Sequence, residues 1–462
     1  MSIKLLKKNE KHLITIEDIG HNGEGIGRIE GMTVFVEGGV PGDLLKIKII
    51  EVKKNYAKGE LIKVVKPSEH RIQPVCPIAE ICGGCQIQQI DYSAQLELKT
   101  NRVRANIERI GKLENVIIHN TIGMETPARY RNKAQFPIGR SGQQAVIGFY
   151  KKGSHEIIDT ESCYIQHEIN DQLISLMKAY IEKHQVSTYD EKTGQGLLRH
   201  VLTKVGFSTG EIMVILVTNG KELPGKDALI EDLTANIPGL KSVVQNINTK
   251  KGNTILGQEC ITLYGSDQIV DTLGKLKFNI SPLSFFQVNP MQTEILYGKA
   301  LEYAGLTGAE RVFDVYCGIG TISLFLAKKA KHVYGIEVVE AAIEDAKENA
   351  RINGIENVTF YAGEAEEVVP KLYKEGIEAD VVVVDPPRKG CDEKVLDTIV
   401  RMNPERVVYV SCNPATLARD LRYLEDWGYH TVEVQPVDMF PHTPHTECVC
   451  LIVRNDKGFK DL

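Results

Sequence analysis

The chain has 462 residues, more than a single small module needs at about 150 residues per domain. Hydrophobic residues at 42% and charged residues at 25% follow ordinary globular usage and exclude a disordered, collagenous or coiled-coil chain. Lys and Arg number 55 against 61 Asp and Glu, a formal net charge of −6, which argues against a chain that coats nucleic acid or an anionic membrane by bulk electrostatics.

Residues 1–68 form the first unit, with short alternating strands around His12–Ile16, Thr33–Val36 and Leu44–Ile49. Glycine-rich turns separate them, the pattern of a small β-barrel. From Lys46 to Lys66 seven lysines stand against two glutamates, either a solvated face or a nucleic-acid contact. A second basic stretch, Thr126–His155, has no acidic residue and carries Arg129, Arg131, Lys133, Arg140, Lys151 and Lys152 among Tyr130, Phe136, Phe149 and Tyr150. Cations beside stackable rings suit an RNA surface; the other reading is a sheet whose aromatics face the core. Residues 69–280 form a central mixed α+β unit, with strands at Val201–Gly206 and Glu211–Val217 and a helix at Asp227–Asn236. Residues 281–462 alternate strands and helices, the pattern of an α/β unit with a parallel sheet. No apolar block has signal-peptide form or membrane-spanning length, so a cytoplasmic chain with no membrane partner is expected.

A reducing compartment turns the ten cysteines from disulfides toward metal binding or catalysis. Cys76, Cys82 and Cys85 supply three soft donors from one loop, and Cys163 is the nearest candidate for a fourth. Four thiolates close either a tetrahedral zinc site or a 4Fe-4S cluster. The three-plus-one spacing favours the cluster, because zinc sites more often pair two short Cys-x2-Cys knuckles.

In the last unit the strand Arg311–Tyr316 runs into Cys317-Gly318-Ile319-Gly320-Thr321, a turn that lets a ligand approach the backbone at a helix amino end. Glu337 closes the next strand about twenty residues after the turn, placed to take both hydroxyls of a ribose. Asp385 ends a buried strand before Pro386-Pro387-Arg388. Ser411-Cys412-Asn413-Pro414 follows another strand, with Asn413 able to cap and Pro414 to open a helix, which sets the Cys412 sulfur where a helix dipole stabilises thiolates. Glu447, reached through His445-Thr446, brings a carboxylate to the same sheet edge as a possible base. Cys317 is read as packing.

Taken together, Asp314-x-Tyr316-Cys317-Gly318-x-Gly320-Thr321, Asp385-Pro386-Pro387-Arg388, Ser411-Cys412-Asn413-Pro414, His445-Thr446-Glu447 and Phe286-Gln287-Val288-Asn289-Pro290 resemble the RNA 5-methyluridine methyltransferase family. The resemblance spans essentially the whole chain and implies a TRAM-type barrel and a Rossmann-like methyltransferase domain. It further implies S-adenosylmethionine held by Gln287, Tyr316, Glu337 and Asp385, Cys412 as nucleophile, Glu447 as base, and a 4Fe-4S cluster on Cys76, Cys82, Cys85 and Cys163. Glu364 departs from the family's Asp after Gly363 and is left out of the site. Carbon 5 of uracil is a poor nucleophile, so a thiolate must first add to carbon 6, and a base must then remove the carbon 5 proton. The target uridine must be extruded from its stack to be reached. By resemblance the substrate is large-subunit ribosomal RNA and the enzyme a monomer, with transfer RNA as the alternative. Two rivals stand beside this reading. One is a methyltransferase of exocyclic amines, which shares Asp-Pro-Pro but lacks its following aromatic here; the other is a non-catalytic RNA-binding factor.

Overall fold

Residues 6–455 are described by the computed structural model, and the first element in them is a closed barrel. Its strands are β1 (Lys11–Ile19), β2 (Gly25–Ile29), β3 (Met32–Val36), β4 (Leu44–Val52) and β5 (Tyr56–Lys66), in the order β1-β2-β3-β5-β4, with β4 closing back on β1. Alternation explains the closure: Ile14, Ile16, Val34, Val36, Leu45, Ile47 and Ile49 fill the interior, while the intervening residues face out. Gly27 is required where β1 and β2 cross closely, because a Cβ there would stand 2.3 Å from the Thr15 carbonyl oxygen. The lysines of the basic run point outward, Lys46 opposite Lys63 and Lys11 opposite Lys48. The barrel is fastened to the next segment by buried Asp43, which accepts from Ser68 N at 2.9 Å and from Arg71 Nη2 at 2.6 Å.

Helix α1 (Tyr92–Asn106) and the two-residue strand β6 (Ile117–Ile118) come next. The sequence grouped them with the central unit, yet β6 pairs in parallel with a strand near the carboxy terminus, and a two-residue strand carries no periodicity that would reveal this. The central sheet is built from β7 (Lys133–Ser141), β8 (Gln144–Tyr150), β9 (Ile157–Asp159), β10 (Leu198–Val205), β11 (Ile212–Thr218), β12 (Leu240–Ile247) and β13 (Glu259–Gly265). Its order is β13-β12-β11-β10-β7-β8-β9. Helices α2 (Ile169–Lys183) and α3 (Lys226–Asn236) contribute to the core on one face, with Phe136, Leu173, Met177 and Leu216. Leu202, Met213, Ile215 and Val217 join a core shared with Phe286, Leu296 and Val312 of the last unit. That is why β10 and β11 are buried at every position and read as unbroken apolar runs.

A hairpin, β14 (Ile269–Leu273) and β15 (Leu276–Ile280), and helix α4 (Pro290–Ala304) lead into the carboxy-terminal sheet. That sheet contains β16 (Arg311–Val315), β17 (His332–Glu337), β18 (Val358–Ala362), β19 (Val381–Val384), β20 (Arg406–Ser411), β21 (Tyr429–Val437) and β22 (Glu447–Arg454). The order is β18-β17-β16-β19-β20-β22-β21-β6. Helices α5 (Thr321–Ala327), α6 (Glu340–Ile352), α7 (Ala365–Lys374), α8 (Glu393–Met402) and α9 (Pro414–Asp426) connect the strands. All pairs from β18 to β20 are parallel, and β22 is antiparallel to both β20 and β21. The strand order reverses between β16 and β19, the point where such sheets take ligands beyond their carboxyl ends.

Candidate functional site

The turn after β16 is built around backbone that only small residues make cheaply. Gly318 has φ +54° and Gly320 φ +80°. A Cβ on Gly318 would project into open space, whereas one on Gly320 would stand 3.0 Å from the Phe360 ring and 3.1 Å from Ala346. Tyr316 also adopts positive φ, +72°, a conformation that costs a non-glycine residue about 1–3 kcal/mol and collects at functional sites; its N–H donates to the Ile336 carbonyl at 2.8 Å. Glu337, at the end of β17, faces this turn and accepts from Gly318 N at 3.2 Å and Val339 N at 2.9 Å. Gln287 is fixed from behind, its carbonyl accepting from Asn132 Nδ2 at 2.9 Å. Asp385 follows β19 and keeps part of its surface open, while burial of its carboxyl raises it to about 7. Behind the turn, fully buried Asp314 is also raised to about 7 by burial, opposed by its bond from Ser323. Gln287, Tyr316, Glu337 and Asp385 thus come from four separate segments. Cys317 is buried at 5% exposure and packs near Gly335, as its sequence context implied. Glu364, at the amino end of α7, is exposed and makes no capping bond with its side chain.

Strand register brings the two reactive groups together. Ser411 pairs with Cys448 at the end of the antiparallel β20–β22 ladder, so Cys412 and Glu447, the adjoining residues, lie side by side and the Glu447 charge acts on the thiol. Asn413 caps α9 through Ala415 N at 3.1 Å, with Pro414 in the first turn. The expected thiolate stabilisation does not prevail here. Burial first, then the charges of Glu447 and Asp385, push the Cys412 thiol up to about 12, with Arg388 opposing. A dipole effect of about 0.3–2 kcal/mol is outweighed by desolvation and two neighbouring carboxylates. Glu447, 4% exposed, is raised to about 8 by burial and by Asp385, again with Arg388 opposing.

Sequence reasoning missed the scaffold behind Glu447. Lys99 of α1, 2% exposed, forms an ion pair with fully buried Asp438. Asp438 also accepts from Tyr92 Oη at 2.9 Å and Phe440 N at 3.2 Å. Gln95 accepts from His442 N at 3.0 Å and donates to the Ile87 and Ile90 carbonyls at 3.2 and 2.8 Å. The Tyr130 hydroxyl donates to Pro441 O at 3.1 Å. The loop leading to Glu447 is therefore held by side chains more than three hundred residues away, pairs that no local motif announces.

Cys76, Cys82, Cys85 and Cys163 line one cavity of about 320 Å³ with Gln88, Arg131 and Gln166. Among the described residues no three His, Cys, Asp or Glu side chains converge tightly enough to hold a single metal ion; the thiols ring a wider space. Burial raises Cys82, Cys85 and Cys163, and the thiols raise one another. Gln88 Nε2 and Arg131 Nε are buried without hydrogen-bond partners. Gln166 Oε1, an acceptor on the same cavity, is also buried without a partner, so the unpartnered atoms do not select one group; the four thiols themselves are the donor type that closes an iron-sulfur cluster.

The stretch 126–155 behaves differently from an aromatic RNA face. Tyr130 and Phe136 are fully buried: alternation along β7 turns Phe136 inward, and Tyr130, in the loop before β7, packs with Met124 and Ile165. Arg129 pairs with Asp171 at 2.9 Å and donates to Cys163 O at 2.8 Å. These three residues build the domain rather than an RNA surface. Lys151 and Lys152 remain near the surface, facing Glu156 and Glu37 at 3.5 and 3.3 Å.

Residues 91–455 match the tRNA (Uracil-5-)-methyltransferase family and residues 6–62 the TRAM domain. The chain is 55% identical to an uncharacterized RNA methyltransferase of Caldanaerobacter subterraneus subsp. tengcongensis, over 97% of this chain and 99% of the relative. It is 54% identical to an uncharacterized RNA methyltransferase of Bacillus cereus, over 99% of this chain and all of the relative. Among solved structures it resembles the Pyrococcus abyssi tRNA (uracil-54, C5)-methyltransferase in complex with S-adenosyl-L-homocysteine. That likeness has a TM-score of 0.77 and 29% identity, covering 96% of this chain and 100% of that one. No helix among the described residues is long and apolar enough to cross a membrane. With a TRAM barrel, a parallel sheet whose switch point carries the Gly318–Gly320 turn, and matches that run nearly end to end, the chain belongs to the S-adenosylmethionine-dependent RNA (uracil-5-)methyltransferase family.

Proposed function

We propose that the protein methylates carbon 5 of a uridine in large-subunit ribosomal RNA through a covalent bond between Cys412 and uracil carbon 6. The observation that carries this reading is the register that sets Cys412 beside Glu447 at the edge where Asp385 and the Gly318 turn also lie. S-adenosylmethionine, when bound, supplies an electrophilic methyl group. Gln287, Tyr316, Glu337 and Asp385 would hold it, Glu337 being the residue suited to ribose hydroxyls, near backbone that Gly318 leaves open.

The Cys412 thiol gives its proton to water as its sulfur adds to carbon 6, and the enolate so formed makes carbon 5 nucleophilic enough to take the methyl group, with S-adenosylhomocysteine leaving. Glu447 then removes the carbon 5 proton, and departure of the Cys412 sulfur restores the ring. Burial of Glu447 serves the proton step, since a carboxylate with a raised pKa is a stronger base than an exposed one.

In this reading Cys76, Cys82, Cys85 and Cys163 would hold a 4Fe-4S cluster, supported by four thiols around one cavity. The protein acts as a monomer in the cytoplasm. The ribosomal assignment is supported by the joint presence of the barrel and the four-cysteine cavity. A second reading, transfer RNA, is favoured by the likeness to an enzyme of that substrate. Mapping 5-methyluridine in ribosomal and transfer RNA from cells with and without the gene separates them. Loss of a single site in the large-subunit RNA supports the first reading, and loss confined to transfer RNA replaces it with the second.

A further inference from the structure

Cationic and N–H donor groups from all three parts of the chain stand close to Cys412 and Glu447. His21 sits in the turn between β1 and β2 and is exposed. Its Nδ1 accepts from Arg102 Nη2 of α1 at 2.5 Å. The other arm of that guanidinium, Nη1, donates to Pro444 O at 3.0 Å, one residue before His445 and three before Glu447. Arg388, just beyond Asp385-Pro386-Pro387, is exposed, but its backbone is pinned: its carbonyl accepts from Asn413 Nδ2 at 3.1 Å and Thr416 Oγ1 at 3.2 Å. Its charge is felt at His21, Cys412, His445 and Glu447 alike.

Two acids stand nearby, Asp18 acting on Arg102 and Glu24 on His21, but neither forms an ion pair with them. Asp18 accepts from Ile19 N at 2.7 Å, and Glu24 from Asn22 N and Nδ2 at 3.2 and 3.0 Å. Because Nδ1 of His21 is an acceptor, its ring is neutral and carries its proton on Nε2. Burial and the neighbouring Arg102 charge lower its pKa, which keeps it so. The surface near Cys412 and Glu447 therefore presents two guanidinium groups and one N–H donor. A fork of donors at that place suits a phosphate diester better than a base edge, which would need acceptors as well.

We propose that Arg388, Arg102 and the Nε2–H of His21 bind the RNA backbone phosphate next to the uridine that enters the Cys412 pocket, so that the amino-terminal barrel completes the mouth of the catalytic domain. This rests on the uridine-methylating reading above. The barrel thereby holds the sugar-phosphate chain at the place where extrusion of the base must begin. The docking needed for that is present, since Ile19 and Val40 of the barrel segment pack with Ile87, Ile90 and Ala94 at the start of α1.

The test uses the full chain and a single-stranded RNA 12-mer with one central uridine, its binding followed by fluorescence anisotropy from low to high salt. Arg388→Gln should lower the slope of log affinity against log salt by about 0.7, the value of one lost phosphate contact on a single strand. His21→Ala should weaken binding about threefold to tenfold, the worth of one hydrogen bond. Lys226→Gln, on the remote α3, controls for general charge. In a second arm, a methylphosphonate replaces one linkage beside the uridine. It should weaken wild-type binding more than it weakens Arg388→Gln binding. Thermal unfolding and S-adenosylhomocysteine affinity of each variant report whether the pocket still folds. Unchanged slopes, or equal losses for wild type and Arg388→Gln with the neutral linkage, would overturn the proposal. Methylation by the wild type is measured separately in RNA from cells lacking the gene. If the wild type methylates uridine while the slopes stay equal, only the phosphate site fails. If it does not, the uridine-methylating reading fails, whatever the binding shows.

Discussion

Lys99→Met tests whether the helix following the cysteine loop holds the catalytic loop in place. The substitution keeps most of the side-chain length and removes the charge, leaving Asp438 fully buried with only neutral donors, Tyr92 Oη and Phe440 N. Breaking one partner of a buried ion pair costs about 3–5 kcal/mol, a large share of the roughly 5–15 kcal/mol that holds a domain folded. For a unit of about 200 residues this corresponds to a fall in Tm of roughly 10 °C. Activity should fall further than a merely less stable protein would show, because Asp438 begins the turn that carries Glu447. Lys99→Met combined with Asp438→Asn removes the uncompensated charge and should recover much of the lost Tm. Calorimetry and methyl transfer at 20 °C, well below both transitions, separate the two effects. A Lys99→Met protein with wild-type Tm and wild-type turnover would refute the reasoning.

Other expectations follow from the same geometry. Glu447→Gln should still form the covalent RNA adduct but resolve it about 10²–10⁴ times more slowly, read as an enzyme–RNA band that persists in denaturing gels; turnover within a few-fold of wild type would remove Glu447 as the base. The rate of adduct resolution should climb with pH and level off near 8, where buried Glu447 loses its proton. Its raised pKa also means that the folded protein binds more protons than the unfolded chain between about pH 4.5 and about 8. Stability contributed by neutral Glu447 is therefore present at low pH and lost as pH rises through that window. The difference in Tm between wild type and Glu447→Gln should track this in calorimetry from pH 5 to 8, and a constant difference would contradict it. Gly320→Ala, with φ +80° and a Cβ 3.0 Å from the Phe360 ring, should lower Tm and weaken S-adenosylhomocysteine binding by about tenfold or more, given roughly 1–3 kcal/mol of strain; calorimetric titration at wild-type affinity would show that the turn tolerates a side chain. Anaerobically purified protein should be brown, with iron and sulfide near four per chain, and Cys85→Ser should bleach it; stoichiometric zinc without iron would contradict the cluster.

The carboxy-terminal half was legible because its chemistry lies at strand ends. Each of Glu337, Asp385 and Cys412 follows a short apolar run, and parallel strands deliver such ends to one edge. The barrel was legible through its alternation and glycines. What stayed hidden depends on contacts across the chain. Lys99 and Asp438 are separated by 339 positions, and nothing in the sequence of α1 distinguishes a buried lysine from a surface one. The stretch 126–155 showed its composition but not its phase: Phe136 turns inward on β7 and Tyr130 is buried in the loop before it, which leaves only the half-buried Phe149 and Tyr150 beside the cations. The Cys412 thiol was misjudged because helix position can be read locally, whereas desolvation and the nearness of Glu447 depend on the β20–β22 register.

The most direct test of the central claim is intact-mass analysis after mixing the protein with S-adenosylmethionine and RNA carrying 5-fluorouridine, whose carbon 5 bears fluorine where the proton that must leave would be. The account predicts a stable adduct containing one protein, one RNA and one added methyl group, mapped by digestion to Cys412 and absent from Cys412→Ala. An adduct on another residue, or 5-methyluridine formed on ordinary RNA by Cys412→Ala, would contradict it.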